Sequence, residues 1–80
     1  MKTKPTVLIV GDDATFHISL KQTLKPHFEC SSAYHCDEAL SILKKRKSRI
    51  LILDISMRTE REGLDFLPKF HALDPEMQVI

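Results

Sequence analysis

The sequence predicts an α/β fold in which a doubly wound parallel sheet carries helices on both of its faces. Two short aliphatic runs, residues 7–10 and 50–53, have the composition of strands that are buried on both sides of such a sheet. Segments of helical periodicity alternate with these runs and with two weaker strand candidates, which gives the order β-α-β-α-β-α-β. Acidic residues follow both aliphatic runs directly, and this is the main clue to function.

The first predicted strand, residues 7–10, is followed by a helix over residues 14–25. Asp12 or Asp13 can cap the start of this helix, because a side-chain carboxylate accepts hydrogen bonds from the free N–H groups of a first turn. Pro26 ends the helix, since the residue before a proline is disfavoured in helical geometry. Three residues at i, i+4 and i+8 predict its apolar face: Phe16, Leu20 and Leu24.

A second strand is predicted over residues 28–33, and its low aliphatic content favours a position at the edge of the sheet. Asp37 can cap the helix that follows, which extends to about residue 47. This helix ends in a run of cations, residues 44–47, which the helix macrodipole favours. We interpret the run as a solvated helix end and not as a nucleic-acid or targeting patch. One stripe of this helix is apolar: Cys36, Ala39, Leu40 and Leu43.

The central strand is followed by a polar loop over residues 55–62 and then by a third helix. Because Pro68 is tolerated only in a first turn, this helix is predicted to start near Leu64 or Asp65, or else to kink. A last strand is predicted over residues 77–80. The apolar side of the third helix is formed by Phe66, Leu67, Phe70 and Leu73.

The composition is that of a globular domain, which we expect to work in the cytoplasm. The net charge of +1 lacks the basic excess of a nucleic-acid-binding segment, and no apolar run approaches the roughly 18 residues of a membrane span. Cys30 and Cys36 do not have redox or zinc-site spacing, so both are predicted to be reduced. Four histidines share no metal-ligand spacing and are predicted to be solvated or half-buried: His17, His27, His35 and His71.

Acidic residues stand at the carboxyl ends of two predicted strands. Asp12 and Asp13 follow the first strand, and Asp54 follows the central one. In a flavodoxin-like sheet these strands are neighbours, so the three carboxylates would converge at the topological switch point. Crowded carboxylates favour a hard divalent cation such as Mg²⁺, and an aspartate can itself accept a phosphoryl group. The alternative is that each acid only caps a helix or ends a strand.

Three segments resemble the receiver domain of two-component response regulators, which has a CheY-like fold. They are residues 7–13 (VLIVGDD), 50–57 (ILILDISM) and 63–67 (GLDFL). The resemblance covers essentially the whole chain and fits the spacing between the acids. It implies a single domain over residues 1–80 with the sheet order 2-1-3-4, truncated after the fourth strand.

The resemblance also implies roles for individual residues. Asp54 would accept a phosphoryl group from a histidine kinase or a phosphotransfer protein and thereby switch an output. Mg²⁺ would be held by Asp12, by Asp54 and by the backbone carbonyl of Ser56, with Asp13 as an additional acid that could join them. Such a domain is not an enzyme with an outside substrate, because at most it catalyses its own phosphorylation and dephosphorylation. No contact with nucleic acid or membrane is expected of this segment.

The chain departs from the family pattern at several positions. Gly11 stands where the family usually has the first of two consecutive acids. Arg58 stands where a proline is common. Arg58 and Arg61 could crowd the pocket or help to neutralise a phosphate. The positions of the family's switch Ser/Thr and phosphate-binding Lys are not present. We therefore expect a fragment of a longer protein, which would form a homodimer if it folds alone.

Two other function classes remain open. A degenerate receiver would serve only for protein–protein contacts, and Gly11 and the missing Lys favour it. An unrelated α/β enzyme has less support, because Gly11 and Gly63 lie too far apart for a phosphate-binding loop and a haloacid-dehalogenase-like phosphatase would need an acid at Ser56.

Overall fold

The computed structural model describes residues 4–54 and 60–80 of the 80-residue chain, with side chains described for residues 4–54 and 65–80. Strands and helices alternate along it, as the sequence predicts. The elements are β1 (Thr6–Val10), α1 (Ala14–Leu24), β2 (Glu29–Ala33), α2 (Cys36–Lys45), β3 (Ile50–Leu53), α3 (Glu60–Leu73) and β4 (Gln78–Val79).

The four described strands form one parallel sheet with the order β2-β1-β3-β4. This confirms the predicted doubly wound α/β class, and β2 lies at an edge as its low aliphatic content indicates. Val10, the last residue of β1, pairs with Ala33 on one side and with Leu53 on the other. The carboxyl ends of β2, β1 and β3 are therefore level with one another.

One face of the sheet is covered by α2 and α3. Their side chains form a single core with the strand residues that point to this face, because alternate residues of a strand project to the same side. On α2, the predicted apolar stripe is confirmed, with Leu40 half-buried at its border. The buried members of this core are Leu8, Val10, Ala33, Cys36, Ala39, Leu43, Leu51, Leu53, Phe70 and Met77.

The opposite face, which carries α1, is covered less evenly. Val7 and Ile9 of β1 are fully buried there, whereas Ile50 and Ile52 of β3 are only half-buried. The prediction that β3 is buried on both faces is therefore wrong for this side. The physical reason is the position of α1, which packs beside β2 and leaves the neighbouring β3 side chains partly open.

The starts of α1 and α2 are capped in different ways. Asp13 is the N-cap of α1, and its Oδ1 accepts a hydrogen bond from the Thr15 N–H at 2.9 Å. Asp37 does not cap α2 as predicted, because the N-cap is His35. Glu38, in the first turn of α2, instead reaches back and accepts the Tyr34 N–H at 2.7 Å.

The third helix begins earlier than the proline rule predicts. It runs from Glu60 to Leu73, so Pro68 lies in its interior and residues 60–62, predicted as loop, are helical. Beyond Pro68 the helix is held by Phe70, which is fully buried and packs against Phe66 at 6.1 Å between ring centroids. Burial of a large aromatic side chain contributes roughly 1.5–3 kcal/mol, which offsets much of the cost of an interior proline.

Among residues 4–54 and 60–80, none of the helices is long and apolar enough to cross a membrane.

Candidate functional site

The acidic edge of the sheet is built on the pairing of β1 with β3. Val10 lies opposite Leu53, so Gly11 and Asp54 are the first residues beyond the paired segments on adjacent strands. The Asp54 N–H donates to the Val10 carbonyl at 2.9 Å, which fixes the backbone of this aspartate. Adjacent strands are about 4.8 Å apart, so the residues that follow them are close neighbours. The strand adjacency that the site prediction required is present.

The three predicted acids differ in exposure and in what they do. Asp54 is half-buried at the end of β3, whereas Asp12 and Asp13 are exposed. Asp13 is engaged at the start of α1 through its hydrogen bond to the Thr15 N–H. The structure therefore gives Asp13 a helix-capping role and leaves Asp12 as the acid that directly follows Gly11 at the end of β1.

Gly11 is buried, and both of its backbone polar groups are hydrogen-bonded. Its N–H donates to the Ala33 carbonyl at 3.1 Å. Its carbonyl accepts a hydrogen bond from Nε2 of His17 at 2.7 Å. A buried carbonyl without a partner is costly, so this second bond is an important part of the local structure.

His17 is a residue of the site that the sequence analysis missed. It was predicted to be solvated or half-buried, but its side chain is only 1% exposed. Because the Gly11 carbonyl can only accept, Nε2 carries the hydrogen; in a neutral ring Nδ1 then accepts from the Ser32 hydroxyl at 3.1 Å. The spacing of His17 could have indicated its burial, since Leu20 and Leu24 follow it at i+3 and i+7 on the same face of the helix.

Two aromatic rings flank His17 in the same corner of the fold. The Tyr34 ring is tilted by 42° against the imidazole at 4.5 Å between centroids, and the Phe16 ring meets it edge-on at 6.0 Å. Such aromatic pairs add to the stability that burial provides. The first turn of α1 thus closes over Gly11 and joins the ends of β1 and β2.

Mg²⁺ has a limited set of ligands at this edge. Among the residues that the structure describes, there is no group of three or more His, Cys, Asp or Glu side chains arranged to hold a metal ion. Asp12 and Asp54 nevertheless follow adjacent strands, and Mg²⁺ is commonly bound through one or two carboxylates with water and phosphate oxygens as its other ligands. The residues present fit Mg²⁺ in this open form of coordination, but not as a closed site made by carboxylates alone.

Several predicted site features fall outside the described residues. These are the Ser56 carbonyl, Met57, Arg58 and the side chain of Arg61. No disulfide bond joins Cys30 and Cys36. In the basic segment at the end of α2, Arg46 pairs with Glu29 at 3.0 Å.

The sheet order and the acids at the ends of β1 and β3 define a doubly wound α/β domain with an acidic switch point. Residues 7–80 match the family model for the response regulator receiver domain. The chain belongs to this family, whose members are signalling domains of two-component systems.

Solved structures of response regulators have the same fold. CheY4 of Vibrio cholerae superposes with a TM-score of 0.86 at 22% identity, covering 96% of this chain and 66% of that one. NtrX from Brucella abortus has a TM-score of 0.86 at 25% identity, covering 96% and 18%. The HemR receiver domain from Leptospira biflexa has a TM-score of 0.81 at 21% identity, covering 95% and 61%. The chain thus spans less than two thirds of each of these proteins. None of the curated protein sequences matches it.

Proposed function

We propose that the chain is a phosphoacceptor receiver of a two-component response regulator, in which Asp54 is the residue that is phosphorylated. The observation that carries this proposal is the position of Asp54. It is half-buried, its backbone is held by Val10, and it follows the central strand beside the acidic end of β1. The donor would be a histidine kinase or a phosphotransfer protein, and the modified aspartate would switch an output.

The proposed reaction moves one phosphoryl group between two side chains. A carboxylate oxygen of Asp54 attacks phosphorus and forms an O–P bond, while the N–P bond of the donor phosphohistidine breaks and its imidazole takes up a proton. The fixed backbone of Asp54 holds the nucleophile at the carboxyl edge of the sheet, where a donor side chain can approach it. Positioning of this kind accounts for much of the catalysis in phosphoryl transfer.

Mg²⁺ is the cofactor that this chemistry requires, because two negatively charged groups must approach each other. When bound, it would offset the charge of Asp54 and of the phosphoryl oxygens. Asp12, Asp54 and the Ser56 carbonyl would hold it, and Asp13 would contribute its charge from the start of α1. We propose that the domain acts in the cytoplasm as an acceptor of phosphoryl groups and not as an enzyme with an outside substrate.

Phosphorylation with and without Asp54 tests this proposal. The protein is incubated with Mg²⁺ and either acetyl phosphate or a cognate kinase, and labelling is measured by mass spectrometry. We expect one phosphoryl group that is lost in Asp54→Asn. Asp74→Asn is the matched control, since Asp74 is also half-buried but lies in the α3–β4 turn. Absence of label on the full-length protein, or its persistence in Asp54→Asn, would refute the assignment.

A degenerate receiver that works only through protein contacts is the second candidate. It is favoured by Gly11, which removes one acid from the edge, and by the Phe16 ring that lies against this glycine. This function predicts that a partner protein binds equally well to the wild type and to Asp54→Asn. A partner whose binding depends on phosphorylation would exclude it.

A further inference from the structure

A groove of about 620 Å³ lies between α1 and the edge strand β2. Its floor is apolar, since it is formed by Ile18 of α1 and by Phe28 and Cys30, which are half-buried. Ile18 is 57% exposed although its side chain is a large aliphatic one. Sites that hold a ligand usually have volumes of roughly 300–1,000 Å³ and mainly apolar walls. The groove therefore has the size and the lining of a binding site.

The rim of this groove is basic. Lys4, Lys21 and Lys25 line it, and Nζ of Lys4 donates to the Lys25 carbonyl at 3.2 Å, which holds one ammonium group at the end of α1. Glu29 also borders the groove, but its Oε1 pairs with Arg46 at 3.0 Å. Glu29 is thus already neutralised and does not offset the three lysines. In a chain whose net charge is only +1, the described residues around this groove carry a local excess of positive charge.

The strand that forms one side of the groove has an open edge. The Glu29 N–H donates to the Pro5 carbonyl at 2.9 Å, so the backbone groups of Glu29 face β1. Successive residues of a strand direct these groups alternately to one side and to the other, and those of Cys30 and Ser32 therefore point away from β1. Edge strands are commonly protected by proline or lysine, and the sequence of β2, ECSSA, contains neither. Another extended chain can pair with such a strand.

We propose that the groove is a docking site for an extended acidic segment of a partner protein. The segment pairs with the outer edge of β2, its apolar side chains contact Ile18 and Cys30, and its carboxylates bind Lys21 and Lys25. Charge complementarity favours this occupant, because a second copy of the chain would bring the same lysines to the same edge. The inference goes beyond the proposed function, since no residue of the acidic edge takes part in it.

A short designed peptide tests the docking site on the full-length protein. The probe is the capped, fluorescently labelled peptide Glu-Thr-Glu-Thr-Val-Thr-Val, because in a strand its two glutamates and two valines project to one face. Binding is measured by fluorescence anisotropy at low salt. We expect Lys21→Gln/Lys25→Gln to weaken binding at least about fivefold and Ile18→Ser at least about threefold. Lys44→Gln/Lys69→Gln is the matched control, since both of these lysines are exposed on α2 and α3, and it should bind as the wild type does.

Methylation of the peptide backbone tests the pairing with β2. One peptide is N-methylated at its threonines and a second one at its glutamates and valines. Only one of these two sets faces β2, so one peptide should lose affinity at least about tenfold and the other should keep it. In hydrogen exchange measured by NMR, the unmethylated peptide should slow the amides of Cys30 and Ser32 at least about tenfold.

Several outcomes would overturn the proposal. These are no binding of the peptide to the wild type, equal binding to the wild type and to Lys21→Gln/Lys25→Gln, and equal binding of the peptide in which lysine replaces glutamate. Equal effects of the two methylation patterns would exclude strand pairing. Vesicles of phosphatidylcholine and phosphatidylserine are tested in parallel, and binding to these vesicles without binding to the peptide would identify a lipid surface instead. The test needs no phosphoryl donor, so failure of the phosphoacceptor assignment for Asp54 would leave its result unaffected.

Discussion

Replacement of His17 by alanine should be among the most destabilising single changes in this fold. The substitution removes the Nε2 hydrogen bond to the Gly11 carbonyl, the Nδ1 hydrogen bond with the Ser32 hydroxyl and the ring contact with Tyr34. A buried carbonyl without a partner costs about 1–3 kcal/mol, and the second hydrogen bond and the ring contact contribute about 1 kcal/mol each. The expected loss in the free energy of unfolding is therefore about 3–5 kcal/mol.

His17→Gln distinguishes the hydrogen bond from simple loss of volume. The amide nitrogen of glutamine reaches approximately the position of Nε2 and can still donate to the Gly11 carbonyl. This variant should be about 2 kcal/mol more stable than His17→Ala. His71→Ala is the control, since this exposed histidine at the end of α3 should change stability by less than about 0.5 kcal/mol.

Urea unfolding measured by tyrosine fluorescence is a suitable assay. The chain contains no tryptophan and a single tyrosine, Tyr34, whose ring lies 4.5 Å from that of His17. The fluorescence signal therefore reports on the corner that the substitution changes. Far-UV circular dichroism should give the same midpoint if unfolding is two-state. The explanation is refuted if His17→Gln is as unstable as His17→Ala, or if His17→Ala loses less than about 1 kcal/mol.

Two further predictions concern the helix ends. Asp13→Ala should lower the free energy of unfolding by about 1 kcal/mol in the same assay, because the Thr15 N–H loses its acceptor. Asp37→Ala should have a smaller effect, because Asp37 caps no helix. An equal effect of both substitutions would contradict the capping assignment. Arg46→Ala should cost no more than about 1 kcal/mol, since its ion pair with Glu29 is 61% and 49% exposed. The stability cost of Arg46→Ala should fall when unfolding is repeated in 1 M salt, where the screening length is roughly 3 Å. A stability cost that does not depend on salt would show that the ion pair is not the cause of it.

The position of the acidic edge could be predicted from sequence because it depends on strand ends. Ile50–Leu53 is a strand of the predicted length, and its pairing with β1 follows from the order of a doubly wound parallel sheet. Chain direction then places Asp54 and Asp12 at the same edge without any knowledge of side-chain packing. The roles of individual acids were less accessible, since either Asp12 or Asp13 could have capped α1.

The features that were missed depend on contacts between distant residues. Periodicity alone does not show that the polar ring of His17 is buried, because its burial requires the Gly11 carbonyl and the Ser32 hydroxyl as partners. Pro68 was expected to mark the first turn of α3 or to kink the helix, but the helix begins at Glu60 and continues past Pro68, where Phe70 is fully buried. In both cases tertiary contacts outweigh a local rule, and such contacts are not visible in a single sequence.

The corner formed by Gly11, Phe16, His17 and Ser32 limits how this domain can diverge in evolution. A Cβ atom at position 11 would lie 3.1 Å from both the Phe16 ring and the Asp54 Cβ. A change at position 17 leaves the hydroxyl at position 32 and the carbonyl at position 11 without the imidazole that they bond to. A substitution at position 17 should therefore be accompanied in related sequences by a new donor for the carbonyl at position 11 or by a change at position 32.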